Sequence, residues 1–144
     1  MNSTTLLAIL EVYFEAFGEH DRGRREELLS RCFIEHGEIW GPNLLFAGYA
    51  AISEKIAGFH HNWPGCHFVL ATGVTTFANF ARFGNAIVSG DGSVLARGET
   101  IVELAPDGRM SRVVPFWEAA LPPLPMSWPQ HLAVAATSSA RDVA

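Results

Sequence analysis

The hydrophobic and polar positions of this chain follow two different patterns, one in each half. Up to about residue 61, apolar residues recur at the three- and four-residue spacing of amphipathic helices. From residue 66 to residue 117, short apolar runs alternate with turn signals at regular spacing, which is typical of consecutive antiparallel strands. The order predicts an α+β architecture, in which the helices pack on one face of a curved sheet.

The first half predicts three helices and a short strand. The helices are expected over residues 4–17, 24–33 and 49–61. In the first of them the apolar side chains share one face, and Gly18 follows as a helix terminator. A short strand at 38–40 is stopped by Pro42, because proline cannot donate to the ladder of a strand. The apolar residues 44–47 form a second short extended piece.

The second half predicts four strands joined by short turns. They are expected over residues 69–77, 81–89, 94–104 and 109–117. The two later joints are Gly90-Asp91-Gly92-Ser93 and Ala105-Pro106-Asp107-Gly108, whose glycines tolerate the positive φ of tight turns. Strands joined so closely pair with their neighbours in sequence, so a meander is expected.

The domain is predicted to cover residues 1–120, followed by a tail at 121–144. The tail begins with a proline-rich stretch and continues as a segment rich in alanine, serine and threonine. Proline favours an extended backbone, and Leu121, Leu124 and Trp128 offer apolar contacts. We expect the start of the tail to lie along the domain, and residue 133 onward to be dispensable.

The composition argues against nucleic-acid binding. The 144 residues suit one globular domain, and the net charge is −5 with nine arginines and a single lysine, Lys55. Such a protein lacks the positive surface that phosphate backbones require. Arg22, Arg24 and Arg25 form a basic cluster, but two glutamates follow at once, which favours a solvated, salt-bridged start of a helix.

Neither a disulfide framework nor a membrane segment is indicated. Cys32 and Cys66 sit among apolar residues without metal-knuckle spacing, so both are expected to be free thiols. No apolar run approaches the length of a membrane span, and no signal peptide is apparent. The sequence therefore predicts a cytoplasmic protein that does not contact a membrane.

Several local motifs, taken in order, carry a resemblance to a known family. They include Arg25-Glu26-Glu27-Leu28-Leu29, Gly48-Tyr49-Ala50-Ala51-Ile52, Trp63-Pro64-Gly65, Ala81-Arg82-Phe83-Gly84 and Asp107-Gly108-Arg109-Met110. The ordered set resembles the SnoaL-like branch of the nuclear-transport-factor-two-like superfamily, which includes ketosteroid isomerases and polyketide cyclases. The resemblance implies a cystatin-like α+β roll, in which an antiparallel sheet curls into a cone that three N-terminal helices cap. It also implies a mostly apolar pocket.

The resemblance leaves the activity open, because the chemistry of this superfamily depends on a few polar residues in the cone. The isomerases carry a general-base Asp before the proline that ends the short strand, and here that residue is Gly41. A second family acid corresponds to Thr100, and family His and Trp positions correspond to Phe77 and Asn85. Tyr13 is retained. The resemblance therefore fits a cofactor-independent isomerase, cyclase or hydrolase-like enzyme, or a non-catalytic ligand-binding or dimerisation module.

Strand alternation and family position together select candidate ligand-binding residues. If Thr100 faces the interior then Gly98 and Val102 do too, and if Asn85 faces it then so do Phe83 and Ile87. The full candidate set is Tyr13, Trp40, His67, Phe77, Asn85, Thr100 and Trp117. The expected ligand is an apolar small molecule. No metal is expected, because the histidines lack the spacing of metal ligands. No organic cofactor is expected either. The roles of Glu38, His60 and His61 stay open.

A homodimer is predicted from the opposite face of the sheet. That convex face is expected to expose an apolar patch too large for a monomer to leave in water. Its members would be Phe68, Leu70, Val74, Ile101, Val114 and Phe116. An isologous twofold contact through this face would cover them.

Overall fold

The computed structural model describes residues 3–41 and 43–118, which form three helices and seven strands. The helices are α1 (Ser3–Gly18), α2 (Arg22–Cys32) and α3 (Tyr49–Asn62). The strands are β1 (Phe33–Trp40), β2 (Leu45–Ala47), β3 (His67–Leu70), β4 (Thr75–Phe77), β5 (Phe80–Val88), β6 (Val94–Leu104) and β7 (Met110–Trp117). The α+β class is confirmed, and the predicted tail lies outside the described residues.

The strands form one curved sheet that is mixed rather than purely antiparallel. Its order is β2-β1-β7-β6-β5-β3, and β4 also pairs with β5. The five later strands form the predicted antiparallel meander, in which β3 and β4 take the place of one predicted strand, but β1 runs parallel to β7. The expectation of an antiparallel sheet was wrong at this pair. β1 comes before the meander in sequence, so no hairpin turn joins it to β7 and fixes their relative direction. The pairing brings Ile39 beside Val113.

The first long strand of the meander is interrupted. Residues 71–74 leave the ladder between β3 and β4, although both strands pair with β5. The Thr72 hydroxyl accepts a hydrogen bond from the Gly84 backbone N–H at 2.6 Å, which replaces a ladder bond. A Cβ added at Gly84 would lie 2.6 Å from the Thr72 methyl carbon, so a glycine is needed for this close approach.

The inner face of the sheet is built by the alternation that the sequence predicted. Phe83, Asn85 and Ile87 of β5 and Thr100 and Val102 of β6 are all buried. Their neighbours in sequence, such as Arg82, Glu99 and Ile101, are exposed on the outer face. Helix α1 covers one end of the inner face with a buried stripe at helical spacing: Leu6, Leu10, Tyr13, Ala16 and Phe17.

Arg25 corrects one expectation about the basic cluster. Arg22 and Arg24 are solvent-exposed and pair with glutamates, as expected, but Arg25 is only 4% exposed. Its Nε donates to the Ser53 hydroxyl at 2.8 Å, and its Nη1 donates to the Glu19 carbonyl at 2.9 Å. It is buried because it donates hydrogen bonds to carbonyl groups beyond the end of α1 and links α2 to α3 through Ser53. The pattern of charges along the sequence does not reveal these long-range contacts.

Strand β1 carries a bulge that frees one carbonyl. The partners of β1 on β7 jump from Met110 opposite Phe33 to Arg112 opposite Glu38. The Phe33 carbonyl accepts hydrogen bonds from the Tyr49 hydroxyl at 3.0 Å and from Arg109 Nη1 at 3.3 Å. These two side chains supply the partners that a regular ladder would have supplied.

Two further expectations concern the cysteines and the membrane. Cys32 and Cys66 are both free, as predicted, and burial raises the pKa of the Cys32 thiol to about 12. Among the described residues, no helix is long and apolar enough to cross a membrane.

The contact between β6 and β7 at Gly98 yields a stability prediction. A Cβ at Gly98 would lie 2.5 Å from the Phe116 carbonyl oxygen and 3.0 Å from the Trp117 ring. Gly98→Ala should therefore lower the free energy of unfolding by about 1–3 kcal/mol, the usual cost of overpacking. Urea unfolding measures it. As a control, Gly58→Ala on α3 meets nothing within 4 Å and should be neutral or stabilising, by up to about 1 kcal/mol. Equal stability of the two variants would contradict this account.

Candidate functional site

The cone opens into a cavity of about 880 Å³ between α1, α3 and the inner face of the sheet. This volume suits a drug-sized molecule. Most of its wall is aromatic or aliphatic, and the aromatic side chains are Tyr13, Phe17, Phe46, Phe59, Trp63, Phe68 and Trp117. The remaining polar groups stand at the mouth. This polar rim consists of Glu54, Lys55, Asn62, Arg97 and Glu118.

Tyr13 supplies a polar group to the buried part of the wall. It lies on α1 one turn before Phe17, and its ring contacts Phe17 and Phe68 at centroid distances of 5.1 Å and 6.1 Å. Its hydroxyl has no hydrogen-bond partner among the described residues, yet it is not among the sealed, unpaired polar atoms. Burial, with a smaller effect from nearby Cys32, raises the pKa of Tyr13. The group is therefore a neutral hydroxyl that faces the cavity.

The open end of the cavity is built from α3 and from the ends of β6 and β7. Lys55 and Phe59 lie one turn apart on α3 and both line the cavity. The Glu118 N–H donates to the Arg97 carbonyl at 2.8 Å, which holds the ends of the two strands together at the rim. Trp117, directly opposite Gly98, closes this side with its indole. The predicted site residues Tyr13 and Trp117 thus line one cavity.

Asn85 and Thr100 lie deeper than the cavity and bind each other. Thr100 Oγ1 donates to Asn85 Oδ1 at 2.7 Å, and the two residues are 1% and 0% exposed. Neither lines the cavity, although Ile87 and Pro115 beside them do. The Asn85 amide nitrogen is buried without a partner. The inward orientation of both residues is confirmed, and their contact with a ligand stays a prediction.

Three more predicted site residues lie outside the cavity. His67 and Phe77 face away from it, because Phe68 and Thr76 take the inner positions opposite Ile87 and Ala81. Phe77 is 81% exposed. The inward orientation expected for both was wrong by one residue, and a shift of one residue reverses the face of every side chain in a strand.

Trp40 is also outside the cavity. Ile39 takes the inward position of β1 and lines the wall, so its neighbour Trp40 lies on the outer face and is 43% exposed. The Trp40 ring lies 5.2 Å from the guanidinium carbon of Arg112, a cation–π contact. The expectation that Trp40 lines the cavity was wrong, because adjacent residues of a strand face opposite sides.

The residues whose roles stayed open are also placed. Glu38 is on the outer face, 3.5 Å from Arg112 in a salt bridge. His60 Nε2 donates to the Phe17 carbonyl at 2.5 Å, and its ring stacks on His20 at 4.0 Å. Burial lowers the pKa of His60, although the bond to Phe17 partly opposes this. His61 is exposed. In the described part of the chain, no three His, Cys, Asp or Glu residues cluster as metal ligands.

Comparison with known proteins identifies the family. The chain matches no protein-family model and no curated protein. Among solved structures, it is similar to a candidate isomerase of the SnoaL-like family from Agrobacterium tumefaciens str. C58. The two share 32% identity and a TM-score of 0.73, over 81% of this chain and 99% of that one. The chain belongs to the SnoaL-like family.

More distant structures are similar to this chain in fold only. A candidate SnoaL-like polyketide cyclase from Jannaschia sp. CCS1 has 16% identity and a TM-score of 0.64, over 80% of this chain and 86% of that one. A protein with a cystatin-like fold from Methylobium petroleophilum PM1 has 14% identity and a TM-score of 0.67, over 89% and 84%. The predicted resemblance is therefore confirmed for the fold.

Two cavity residues of this SnoaL-like protein were missed by sequence reasoning. Phe68 was assigned to the convex face, yet its ring packs 4.8 Å from Phe17 on the inner face. Lys55 was noted only as the single lysine, although it lines the cavity. Its position one turn after Ile52 and one turn before Phe59, on the apolar face of the predicted third helix, was a signal that could have found it.

The buried Asn85–Thr100 pair yields a test of how polar groups are held in the core. Thr100→Val removes the partner of the Asn85 carbonyl oxygen and should lower the free energy of unfolding by about 1–3 kcal/mol. The double variant Asn85→Leu/Thr100→Val removes every polar atom of the pair and should be more stable than Thr100→Val alone. Urea unfolding of both variants measures this.

The exposed Thr76 provides the matched control for that change. Thr76→Val on β4 should alter the free energy of unfolding by less than about 0.5 kcal/mol, since surface substitutions have small effects. If the double variant is no more stable than Thr100→Val alone, the unpaired amide carries no cost and the interpretation is wrong.

Proposed function

We propose that this SnoaL-like protein binds an apolar small molecule that carries one hydrogen-bonding group. The observation that supports the proposal is the partly open cavity with a mostly aromatic wall and one unpaired hydroxyl, that of Tyr13, in its buried part. Polycyclic ketones and similar compounds have the matching shape and polarity. The hydroxyl would donate to the ligand's oxygen, since burial keeps it protonated.

Binding is favoured over standard isomerase chemistry. Proton transfer next to a carbonyl needs a base within hydrogen-bond reach of the carbon acid. Gly41 and Thr100 occupy the positions where family isomerases carry their acids, and Thr100 does not line the cavity. A tyrosine whose pKa is raised is a donor and a poor base. We therefore propose recognition without conversion of a standard ketosteroid substrate, and binding that needs neither a metal nor an organic cofactor.

We also propose that the protein is a homodimer through the outer face of its sheet. Ile101 and Phe116 are 37% and 57% exposed there, and half-buried Val114 lies directly opposite Ile101. Phe68 and Val74 do not belong to this patch, because both pack against the core. The smaller patch still presents adjacent apolar side chains on two central strands. A twofold contact would bury it. The cytoplasmic location stays a prediction.

The first test of the binding proposal removes the Tyr13 hydroxyl. Tyr13→Phe should weaken binding of 2-acetylnaphthalene about fivefold, because one hydrogen bond contributes about 1 kcal/mol. Binding of 2-ethylnaphthalene, which lacks the oxygen, should not change. Displacement of the fluorescent probe N-phenyl-1-naphthylamine measures both affinities. Tyr49→Phe is the matched control, since the Tyr49 hydroxyl donates to the Phe33 carbonyl and Tyr49 does not line the cavity.

Two results would contradict the proposal. Failure of the probe and of both naphthalenes to bind would leave the cavity without an apolar ligand and favour a dimerisation module. Conversion of a 5-ene-3-ketosteroid to its conjugated isomer that survives Tyr13→Phe would show that the protein is an enzyme with other active groups.

The dimer prediction is tested by placing a charge on the outer face. Phe116→Glu should shift the sedimentation coefficient from that of a dimer to that of a monomer at micromolar concentration, because a carboxylate there would be buried without a partner. Leu7→Glu, at an exposed position of α1, is the control and should stay dimeric. A wild-type protein that sediments as a monomer would refute the proposal.

A further inference from the structure

Lys55 is the lone lysine of the chain, and it stands at the rim of the cavity. Its ammonium lies 5.1 Å from the centre of the Phe46 ring, which also lines the cavity. The ion pairs of the described residues do not include Lys55. The neighbouring carboxylate of Glu54 is directed to Arg22, at 3.3 Å. Within the described residues, Lys55 is thus a partly desolvated cation that has a cation–π contact but no ion pair.

The charges of the polar rim balance in number, but within the described residues its two cations are not paired with its two carboxylates. Arg97 is exposed and also lacks an ion pair within the described part of the chain, and Glu54 pairs with Arg22, which also pairs with Glu26. Glu118 is the remaining carboxylate of the rim and lies more than 4 Å from either cation. Burial lowers the pKa of Lys55, so a bound anion would relieve the cost of holding the charge there.

We infer that the ligand of this cavity is a hydrophobic organic acid whose anionic group pairs with Lys55 at the rim. The inference rests on the proposed binding function and narrows its ligand class. The apolar body of the acid would lie along the aromatic wall, and a polar group at its far end would reach Tyr13. A charge-assisted hydrogen bond to an ammonium is stronger than one between neutral groups, so Lys55 would select acids over their neutral analogues.

The contact with Phe46 favours anion binding over covalent chemistry of the amine. The face of an aromatic ring attracts a cation and offers little to a neutral amine. The ring therefore favours the charged form of Lys55 against the opposing effect of burial, and the charged form pairs with carboxylates and sulfonates but does not attack carbonyl carbons. The ring also fixes the position of the ammonium beside the cavity, so little side-chain freedom is lost when an anion binds.

The experiment compares two fluorescent probes that share an N-phenylnaphthylamine frame and differ by one anionic group. They are 8-anilino-1-naphthalenesulfonate and the neutral N-phenyl-1-naphthylamine. Lys55→Met should weaken binding of the sulfonate about tenfold and change binding of the neutral probe less than twofold. Lys55→Arg keeps the charge and should retain most of the sulfonate affinity. Displacement of the neutral probe by 2-naphthoate and by 2-naphthamide extends the comparison to a carboxylate, which should compete better than the amide.

A second measurement avoids mutation. Because Lys55 is the only lysine, reductive methylation with ¹³C-formaldehyde labels one side chain besides the N-terminus, and methylation keeps the charge. The carbon–proton spectrum then follows the titration of Lys55 directly. Its pKa should rise when the sulfonate is bound, since a neighbouring anion favours the charged form.

The possible outcomes separate this inference from the proposed function. Binding of both probes with a sulfonate affinity that Lys55→Met leaves unchanged would overturn the inference and keep the binding function. Failure of both probes to bind the wild-type protein would overturn both. A Lys55 pKa that is the same with and without bound sulfonate would overturn the inference even if Lys55→Met failed to fold.

Discussion

The packing of α1 against the inner face of the sheet is the contact on which the rest of the structure depends. Phe14, Phe17 and Tyr13 meet Phe68, and Phe14 also meets Phe83, with ring centroids 4.8–6.1 Å apart. Such aromatic pairs contribute about 0.5–1.5 kcal/mol each beyond the burial of their surface. They close one end of the cone with rigid rings. At the other end, α3 and the ends of β6 and β7 leave the cavity open within the described part of the chain.

This one-sided closure explains how polarity is distributed along the cavity. At the closed end water is largely excluded, so Asn85 and Thr100 form a hydrogen bond with each other and Tyr13 directs its hydroxyl toward the cavity. At the open end water can solvate charges, so Lys55 and Arg97 are tolerated there. A ligand with an apolar body and polar groups at its two ends matches this gradient, and a ligand of uniform polarity does not.

The sequence predicted the elements well and the faces of the short strands poorly. β5 and β6 are long, and the alternation of residues such as Arg82, Glu99 and Ile101 with buried neighbours fixed their faces correctly. β3 has four residues, His67–Leu70, three of them apolar, so alternation could not say whether His67 or Phe68 faces inward. The parallel β1–β7 pair joins segments about 70 residues apart, and no local pattern records such a pairing.

The ambiguity of short strands also explains why most residues of the cavity differ from the predicted site residues. Family positions directed attention to Phe77 and Trp40, but a side chain binds a ligand only if its strand turns it inward, and both turn outward. Lys55 was not predicted as a site residue, because a single lysine forms no recognisable motif in the sequence. Its importance comes from its surroundings: an aromatic ring 5.1 Å away, a cavity beside it, and no carboxylate within ion-pair distance among the described residues. In a fold that tolerates many chemistries, a cation beside an apolar cavity constrains the ligand that we propose more than the fold does, because a charge that is partly withdrawn from water is stabilised by an opposite charge.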